Sequence, residues 1–360
     1  MLIYAIVCLC GCKKADFKNK IEEVKKTPVE VPGSQPQSGS KPQPSTPKEE
    51  LFSIVVIPDT QYYISEKFGG TLGMFENQIK WILKNRDAER IGYVAHLGDI
   101  TESNTEGEWK KAKDIMTPLL ENDIPFGVAI GNHDQTPYGK PSLGNVNSGF
   151  NVYFGKPAFS SKDWYGGSIY NNNSSDSHYD LFSANGENFI AIYIDYNEPG
   201  TRWYDSIYEL KTLAWTDSLL NVYRDRKAII ISHCILELPK KTPGTTYFNN
   251  VKFSYVTSDF APQGKNLYEM VKLHKNVFLM LCGHYTGESL RIDTYDGHTI
   301  KTFLTDYQFR GKGGGGMMRL MRFSKTRQTI AVSSFIPDST GQVLQWETDA
   351  DSQYEVPLYN

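Results

Sequence analysis

Short apolar runs recur along this chain, and several of them stop abruptly before a polar side chain. Leu51–Ile57 leads to Asp59, and the next run leads to Asp99. Runs of this length and β-branched content predict buried strands. Between the runs, apolar residues at helical spacing predict helices at residues 73–86 and 106–122. The alternation of strands and helices with short links predicts an α/β fold of βαβ units with a mainly parallel sheet.

The same rhythm continues through the rest of the chain. Three more apolar runs end just before Asn132, His233 and His284. Asn185-Gly186, between two further runs, predicts a β-hairpin. The C-terminal third predicts strands at residues 290–295, 299–304, 318–323 and 329–335.

Five predicted strands therefore end at carboxylate, amide or imidazole side chains. These side chains are Asp59, Asp99, Asn132, His233 and His284. Open α/β sheets bind their ligands beyond the carboxyl ends of the strands. Oxygen and imidazole donors at such an edge suit divalent metal ions. The sequence therefore predicts a metal site at this edge.

The type and order of these residues resemble the motifs of a known family. The segments Asp59-Thr60-Gln61, Gly98-Asp99-Ile100-Thr101-Glu102, Gly131-Asn132-His133-Asp134 and Gly283-His284, together with His233, are similar to those of the calcineurin-like metallophosphoesterases. The resemblance covers residues 51–337. It implies an α/β fold, namely a four-layer α/β/β/α sandwich with mixed sheets. It also implies metal-dependent hydrolysis of a phosphodiester or a phosphomonoester.

The resemblance further implies a role for each matching residue. The implied metal ligands are Asp59 and Gln61 at the first ion, Asn132, His233 and His284 at the second ion, and Asp99 bridging both. His133 would orient the phosphate and protonate the leaving oxygen. Asp134 would hold the His133 imidazole in position.

Two positions depart from the usual motifs of that family. Gln61 stands where most members have a histidine, and Thr286 stands where a second histidine completes the first metal site. An amide oxygen is a weaker and harder ligand than imidazole, and threonine is a poor ligand. We therefore expect a weaker first site that prefers Mn, Mg or Ca over Zn, and a second site that holds Mn, Fe or Zn. Glu102 and Glu288 are candidates to compensate by hydrogen bonding to ligands.

Two cations account for the expected chemistry. Ions about 3.5–4 Å apart neutralise an anionic ester and lower the pKa of water toward about 7, so that hydroxide is available at neutral pH. No protein side chain then has to act as the nucleophile. The sequence has no Gly-x-Ser-x-Gly motif and no Walker phosphate loop.

The first 50 residues predict export and a lipid anchor. Residues 1–11 are apolar, and Leu9-Cys10-Gly11-Cys12 resembles a bacterial lipobox with Cys12 as the acylated residue. The apolar segment is too short to span a membrane. No basic residue precedes it, which suggests that translation starts further upstream, and a buried N-terminal strand is the alternative. Residues 13–50, rich in Lys, Glu, Pro, Ser and Gln, predict a disordered tether.

The predicted signal, tether and domain divide the chain into four parts. They are a lipoprotein signal at residues 1–12, a tether at 13–50, a metallophosphoesterase domain at 51–337 and a C-terminal extension at 338–360. The expected location is the bacterial cell envelope, with the lipid anchor holding the protein to the membrane.

The net charge and the cysteines bear on nucleic-acid binding and on disulfide formation. The chain has 360 residues and a net charge of −3, so no broad basic face for nucleic acid is expected. Of the 5 cysteines, Cys234 and Cys282 lie in the body of the chain. A free cysteine is usually a small buried hydrophobe, and a disulfide is the alternative in an exported protein.

Some polar residues near the motifs allow two interpretations. Arg310 and Lys312 border a glycine-rich run at residues 311–316 that either binds substrate phosphate or forms a flexible hairpin loop. His178 is a candidate to reach the site. His96 lies on the strand itself, three residues before Asp99, and is expected to be a core residue.

The departures at Gln61 and Thr286 leave other functions open. If the first metal ion is lost, the protein would be a weak or inactive phosphoesterase scaffold that binds a surface glycan or a phosphorylated ligand. Residues 135–177 predict a long loop at the mouth of the site, and Trp164 and Tyr165 would form its binding surface. A structural surface lipoprotein, in which a single metal ion stabilises the fold, is the third hypothesis.

Overall fold

The computed structural model describes residues 51–240, 243–248 and 251–358. The predictions for the signal, for Cys12 and for the tether at residues 13–50 lie outside the described residues. Within the described part of the chain, no helix has both the length and the apolar character needed to cross a membrane.

The observed elements follow the predicted alternation closely. The strands are β1 (Leu51–Ile57), β2 (Ile91–His96), β3 (Phe126–Val128), β4 (Tyr165–Ser168), β5 (His178–Ala184), β6 (Glu187–Ile194), β7 (Lys227–Ser232), β8 (Pro243–Phe248), β9 (Val251–Val256), β10 (Val277–Cys282), β11 (Gly287–Tyr295), β12 (His298–Asp306), β13 (Met318–Ser324), β14 (Thr329–Pro337), β15 (Val343–Trp346) and β16 (Gln353–Pro357). The helices are α1 (Gln61–Ile64), α2 (Leu72–Asn85), α3 (Glu106–Glu121), α4 (Gly149–Phe154), α5 (Lys156–Phe159), α6 (Ser206–Val222) and α7 (Pro262–Val271), with a 3₁₀ turn at Gly311–Gly314.

Two mixed sheets form the centre of the molecule. The first has the strand order β15-β14-β13-β1-β2-β3, with β16 also paired to β14, and the second has the order β11-β12-β10-β7-β6-β5-β4. Strands β1, β2 and β3 are parallel, as are β6, β7, β10 and β12. The remaining strands of both sheets pair in antiparallel fashion. The prediction of a mainly parallel sheet is therefore right only for these two groups of strands.

The two sheets pack face to face, and helices cover both outer faces. On β1, Phe52, Ile54 and Val56 pack between the sheets, whereas Val55 and Ile57 pack with residues of α2 and α3. Helices α6 and α7 cover the second sheet in the same way. A strand that is buried on both faces is apolar at most positions, which is why β1 is hydrophobic except at the buried Ser53. The predicted four-layer α/β/β/α sandwich with mixed sheets is confirmed.

Residues 135–177 are more ordered than the long loop predicted from the sequence. They contain α4, α5 and β4. The segment buries four large side chains against α3 and the first sheet, namely Phe150, Phe154, Phe159 and Trp164. The Asp176 carboxylate holds the segment together by accepting hydrogen bonds from Ser142 Oγ and Gly144 N at 2.6 and 2.7 Å. Elements of 4 to 6 residues are too short to show a periodic pattern.

The C-terminal segment belongs to the first sheet. Strands β15 and β16 both pair with β14, and Val356 and Leu358 are buried between the sheets. The predicted boundary between a domain at residues 51–337 and an extension at 338–360 is therefore wrong, because the fold continues at least to Leu358. Strand β15 has 4 residues, and none of them is buried, so its sequence carries no clear strand pattern.

Candidate metal centre

Loops after five strands meet at one edge of the sandwich. They follow β1, β2, β3, β7 and β10, and they carry Asp59, Asp99, Asn132, His233 and His284. Backbone hydrogen bonds join these loops to one another. Gln61 N donates to the Asp99 carbonyl oxygen at 2.9 Å, and Gly283 N donates to the His233 carbonyl oxygen at 3.1 Å. The structure thus brings all five predicted side chains to the same edge.

Four of these side chains meet around Nε2 of His233. This atom lies 3.1 Å from Asp99 Oδ2, 3.1 Å from Asn132 Oδ1 and 3.2 Å from His284 Nδ1. One donor atom from each of Asp99, His233 and His284 lies within 4.8 Å of the others. A carboxylate, an amide oxygen and two imidazoles in this arrangement suit a divalent transition-metal ion.

A backbone contact orients the His233 ring toward the site. Its Nδ1 lies 2.9 Å from the Leu97 carbonyl oxygen, so in the neutral ring Nδ1 carries the proton and Nε2 presents its lone pair. Burial lowers the pKa of His233, but the carboxylates of Asp99 and Asp59 outweigh burial and raise the pKa to about 10. The same negative field favours a metal ion at Nε2.

The side chains assigned to the first ion are buried with free oxygen atoms. Asp59 is 2% exposed and Gln61 is 1% exposed. Among the described residues, neither Asp59 oxygen nor Gln61 Oε1 has a hydrogen-bond partner of normal geometry. Burial raises the pKa of Asp59 well above its usual range, and the carboxylate of Asp306 raises it further. Buried oxygens without partners are costly, so these atoms fit a bound cation.

Two glycines make room for the convergence of the loops. A Cβ atom at Gly131 would lie 2.1 Å from Asp99 Oδ1, and a Cβ atom at Gly283 would lie 2.3 Å from Asp59 Oδ1. A side chain at either position would therefore displace a carboxylate of the site. This close approach explains why Asn132 and His284 are each preceded by glycine.

His133 lies at the mouth of the site, and Glu102 orients it. The backbone N–H of His133 donates to Asp99 Oδ1 at 2.9 Å. Its Nδ1 lies 2.9 Å from the Glu102 carbonyl oxygen and 3.4 Å from Glu102 Oε2. Glu102 Oε2 also accepts a hydrogen bond from Gln61 Nε2 at 3.1 Å, which directs Gln61 Oε1 away from Glu102. Glu102 therefore supports both a predicted ligand and the predicted acid.

The role predicted for Asp134 is wrong. Its Oδ1 accepts hydrogen bonds from Thr101 N and Oγ1 at 2.9 and 3.0 Å, and its Oδ2 accepts from Ile100 N and Gly131 N at 3.1 and 3.0 Å. Burial and the Asp99 carboxylate raise the pKa of Asp134 to about 6 against the opposing effect of these hydrogen bonds. Asp134 therefore joins the loop after β2 to the loop after β3, and Glu102 orients His133 in its place.

Arg310 is not free to bind substrate. Its guanidinium forms ion pairs with Glu288 at 2.6 Å and with Glu347 at 2.9 Å. Glu288 also pairs with the fully buried Arg319. The suggestion that Glu288 supports the metal ligands is therefore wrong, because its carboxylate belongs to this arginine cluster.

His178 is also excluded as a substrate ligand. It is 4% exposed, its Nδ1 lies 3.0 Å from the Ser175 carbonyl oxygen, and its ring stacks on Tyr193 with centroids 4.6 Å apart. Burial lowers the pKa of His178 to about 4. Lys312, in contrast, is exposed, and it remains a prediction as a contact to substrate.

Exposed aromatic rings surround the mouth of the site. Phe68 and Phe309, 69% and 68% exposed, contact the Tyr62 ring with centroid distances of 4.6 and 6.0 Å. Tyr138, 61% exposed, lies edge-on to His133 at 4.8 Å. Trp164, expected on a binding surface, is instead buried and donates its indole N–H to the Phe126 carbonyl oxygen. We call Phe68, Phe309 and Tyr138 the aromatic rim.

Asp306 is a site residue that the sequence did not predict. This residue ends β12, is 0% exposed and has the largest effect of any charged neighbour on the pKa of Asp59. Burial raises the pKa of Asp306 itself to about 7. The signal was weak, because the strand before Asp306 contains Lys301, Thr302 and Thr305 and is less apolar than the runs before Asp59 and Asp99.

The structure also decides two alternatives left open by the sequence. Cys234 and Cys282 are both free and buried, so the disulfide alternative is wrong. His96 is fully buried, and its Nε2 lies 3.0 Å from Thr60 Oγ1. It is a core residue, as expected.

Comparison with known proteins agrees with this geometry. The family model described as calcineurin-like phosphoesterase matches residues 52–310. The chain belongs to this family. The family is described as one of phosphoesterases, and it implies a dinuclear metal site. The predicted resemblance is confirmed.

Individual relatives of this phosphoesterase are distant or much longer. The chain is 30% identical over 303 residues to the uncharacterized protein YvnB of Bacillus subtilis, a match that covers 81% of this chain and 20% of YvnB. The chain thus spans about a fifth of the length of that relative. A dimetal phosphatase from Danio rerio is 13% identical, with 85% of this chain and 99% of that chain covered and a TM-score of 0.48. Purple acid phosphatase PPD1 from yellow lupin is 16% identical, with 86% and 54% covered and a TM-score of 0.47.

Proposed function

We propose that this protein hydrolyses an organic phosphate ester, either a diester or a monoester, at a site that holds two divalent metal ions. The proposal rests on two groups of metal-binding atoms that lie at one edge of the sandwich. The buried free oxygens of Asp59 and Gln61 lie at the same edge as the cluster of Asp99, His233 and His284. When bound, two ions neutralise the ester and lower the pKa of the attacking water.

The donor chemistry differs between the two halves of the proposed site. Asp59, Gln61 and the shared Asp99 offer oxygen atoms, which suit Mn, Mg or Ca. Asn132, His233 and His284, with Asp99, offer two nitrogens and two oxygens, which suit Mn, Fe or Zn. Asp99 is the residue proposed to serve both halves, because its Oδ2 lies 3.1 Å from His233 Nε2 and its backbone carbonyl oxygen accepts the Gln61 N–H at 2.9 Å.

His133 is the proposed proton donor to the leaving oxygen. Its side chain is 24% exposed, so it can contact substrate, whereas the metal-binding side chains lie deeper. The Glu102 carbonyl oxygen and carboxylate hold Nδ1. This arrangement leaves the opposite ring nitrogen, Nε2, to contact the phosphate.

The aromatic rim supports an organic rather than an inorganic phosphate substrate. Exposed rings at Phe68, Phe309 and Tyr138 provide apolar surface beside the reaction centre, where they would contact the alcohol part of the ester. The alternative of a binding scaffold loses its expected surface, because Trp164 is buried.

The enzyme assay that tests this proposal uses two model esters. The purified chain is treated with a chelator, reloaded with Mn²⁺ and assayed with bis(p-nitrophenyl) phosphate and p-nitrophenyl phosphate. We expect turnover that appears only with metal, and the better ester identifies the substrate class. Folded, metal-loaded protein that hydrolyses no phosphate ester of either class would overturn the proposal.

The proposal includes a lipid anchor at Cys12 and a location in the bacterial cell envelope. Its support is the lipobox-like segment Leu9-Cys10-Gly11-Cys12, followed by a polar stretch at residues 13–50. In cells fed labelled palmitate, we expect label and membrane association for the natural chain and neither for Cys12→Ser. Equal labelling of both proteins would exclude acylation at Cys12.

A further inference from the structure

The sequence Asp-x-Gln occurs twice at the edge of the sandwich that carries the site. Asp59-Thr60-Gln61 follows β1 in the first sheet, and Asp306-Tyr307-Gln308 closes β12 in the second. Strand β12 runs parallel to β10, with Leu304 opposite Cys282. Parallel neighbours end at the same edge of a sheet, so Asp306 emerges beside the loop of His284.

The strand register places Asp306 beside the position where the first site lacks a ligand. In the pairing of β11 with β12, Asp306 lies opposite Gly287, the residue that follows Thr286. Thr286 stands where a second imidazole would complete the first ion's ligands. A buried carboxylate therefore lies next to the residue that cannot supply that ligand.

The Asp306 carboxylate is held in a fixed orientation. Gln308 N donates to Asp306 Oδ1 at 2.8 Å, and Gln308 Nε2 donates to Asp306 Oδ2 at 2.9 Å. The same Nε2 lies 3.5 Å from the His284 carbonyl oxygen. Each Asp306 oxygen keeps a lone pair for a further partner. Gln308 thus positions Asp306 in the way that hydrogen-bonding neighbours position metal ligands elsewhere.

Free oxygen atoms point to a cation at this position. Among the described residues, both oxygens of Asp59, Oε1 of Gln61 and Oε1 of Gln308 are buried without a hydrogen-bond partner of normal geometry, although the His284 backbone N–H lies close enough to Asp59 to oppose the rise in its pKa. Asp59 and Asp306 are 2% and 0% exposed. The charged neighbours of both carboxylates are the acidic Asp99 and the imidazole of His233, which is itself a predicted metal ligand. Buried carboxylates close enough to repel one another are costly unless a cation neutralises them, so a metal ion among Asp59, Asp99 and Asp306 accounts for their common burial.

We propose that Asp306 is a ligand of the first metal ion and replaces the imidazole that Thr286 cannot provide. This inference rests on the proposed two-metal function. Asp59, Asp99 and Asp306 then give the first ion three carboxylates and an amide oxygen from Gln61. An all-oxygen set of this kind selects Mn, Mg or Ca over Zn.

The test counts bound metal and does not depend on activity. Natural protein and Asp306→Asn are stripped with a chelator and titrated with Mn²⁺ by calorimetry, and bound metal is counted by mass spectrometry after desalting. We expect the count to fall from about two ions per chain to about one in Asp306→Asn. Asp180→Asn is the matched control. Asp180 is also a buried carboxylate, but it accepts a hydrogen bond from the Tyr93 hydroxyl between the sheets. The Asp180→Asn protein should bind as many ions as the natural protein.

A rescue variant and a diffraction measurement complete the test. Thr286→His in the Asp306→Asn background should restore the second ion, because it supplies the missing imidazole. If Asp306→Asn does not fold, anomalous diffraction from natural protein with Mn²⁺ still decides, since Asp306 must directly coordinate one of two ions. An Asp306→Asn protein that binds two ions with unchanged affinity, or an ion in the natural protein that Asp306 does not touch, would overturn the assignment. Loss of one of the two ions in Asp306→Asn, together with no ester hydrolysis by the metal-loaded natural protein, would sustain the assignment of Asp306 and refute the proposed function.

Discussion

Asp99→Asn should lower kcat/KM for ester hydrolysis by about three orders of magnitude or more, which is the scale of losing a group that stabilises transition-state charge. Asp99 contacts both halves of the site. Its carbonyl oxygen accepts the Gln61 backbone N–H at 2.9 Å, and its Oδ2 lies 3.1 Å from His233 Nε2. Its Oδ1 accepts the His133 backbone N–H at 2.9 Å. An amide keeps the shape but loses the negative charge and one of the two acceptor atoms. Steady-state kinetics with saturating Mn²⁺ would measure the loss.

The control for this variant is a carboxylate of the protein surface. Asp114→Asn changes a side chain that is 63% exposed and pairs with Lys110 on α3, and it should retain natural activity. Circular dichroism of Asp99→Asn should show a folded protein, since Gly131 still leaves space for the side chain. Activity of folded Asp99→Asn within about tenfold of the natural protein would contradict a bridging role.

Glu288→Gln should destabilise the fold by about 3–5 kcal/mol, the cost of leaving a buried charge without its partner. The Glu288 carboxylate, 1% exposed, pairs with Arg319, which is fully buried. It also accepts hydrogen bonds from Ser334 and Ser352 at 2.7 and 2.5 Å. These contacts connect β11 of the second sheet to β13 and β14 of the first sheet and to the C-terminal segment. Urea denaturation would measure the change in the free energy of unfolding.

The pH dependence of this stabilisation follows from the direction of the pKa shift. Burial raises the pKa of Glu288, but Arg319 and the serine hydroxyls outweigh burial and lower it. The stabilisation is therefore present above the pKa of the unfolded carboxyl group and is lost as the pH falls through the lowered folded value.

Glu347→Gln provides the matched control for Glu288. Glu347, like Glu288, forms an ion pair with Arg310. Its side chain is 25% exposed, so the substitution should lower the free energy of unfolding by about 1 kcal/mol or less. Equal effects of the two substitutions would show that the buried pair with Arg319 does not stabilise the contact between the sheets.

Local sequence patterns identified the core strands and most of the site. Leu51–Ile57 is recognisable because a strand buried on both faces is apolar at nearly every position, here at all but Ser53. The ligands that follow such strands are recognisable because each apolar run stops at a polar residue, and Gly131 and Gly283 mark close approach of another loop. These features depend on residues near each other in the chain, so they can be seen without the tertiary structure.

Short elements and the C-terminal boundary were not predictable in this way. Strand β15 has 4 residues, none of them buried, and its pairing with β14 depends on that strand having a free edge. The helices within residues 135–177 are stabilised by packing of Phe150 and Phe154 against α3 rather than by a long amphipathic pattern.

The partners of individual side chains were decided only by the tertiary structure. Asp134 is adjacent to His133 in sequence, yet it accepts its hydrogen bonds from Ile100, Thr101 and Gly131. Asp59 and Asp306 lie far apart in the chain: Asp59 follows β1 of the first sheet, and Asp306 ends β12 of the second. Hydrophobic burial specifies which segments become strands, whereas the packing of two sheets determines which strand ends meet. The sequence by itself therefore determined the type of site, and the packing of the sheets decided which side chains complete it.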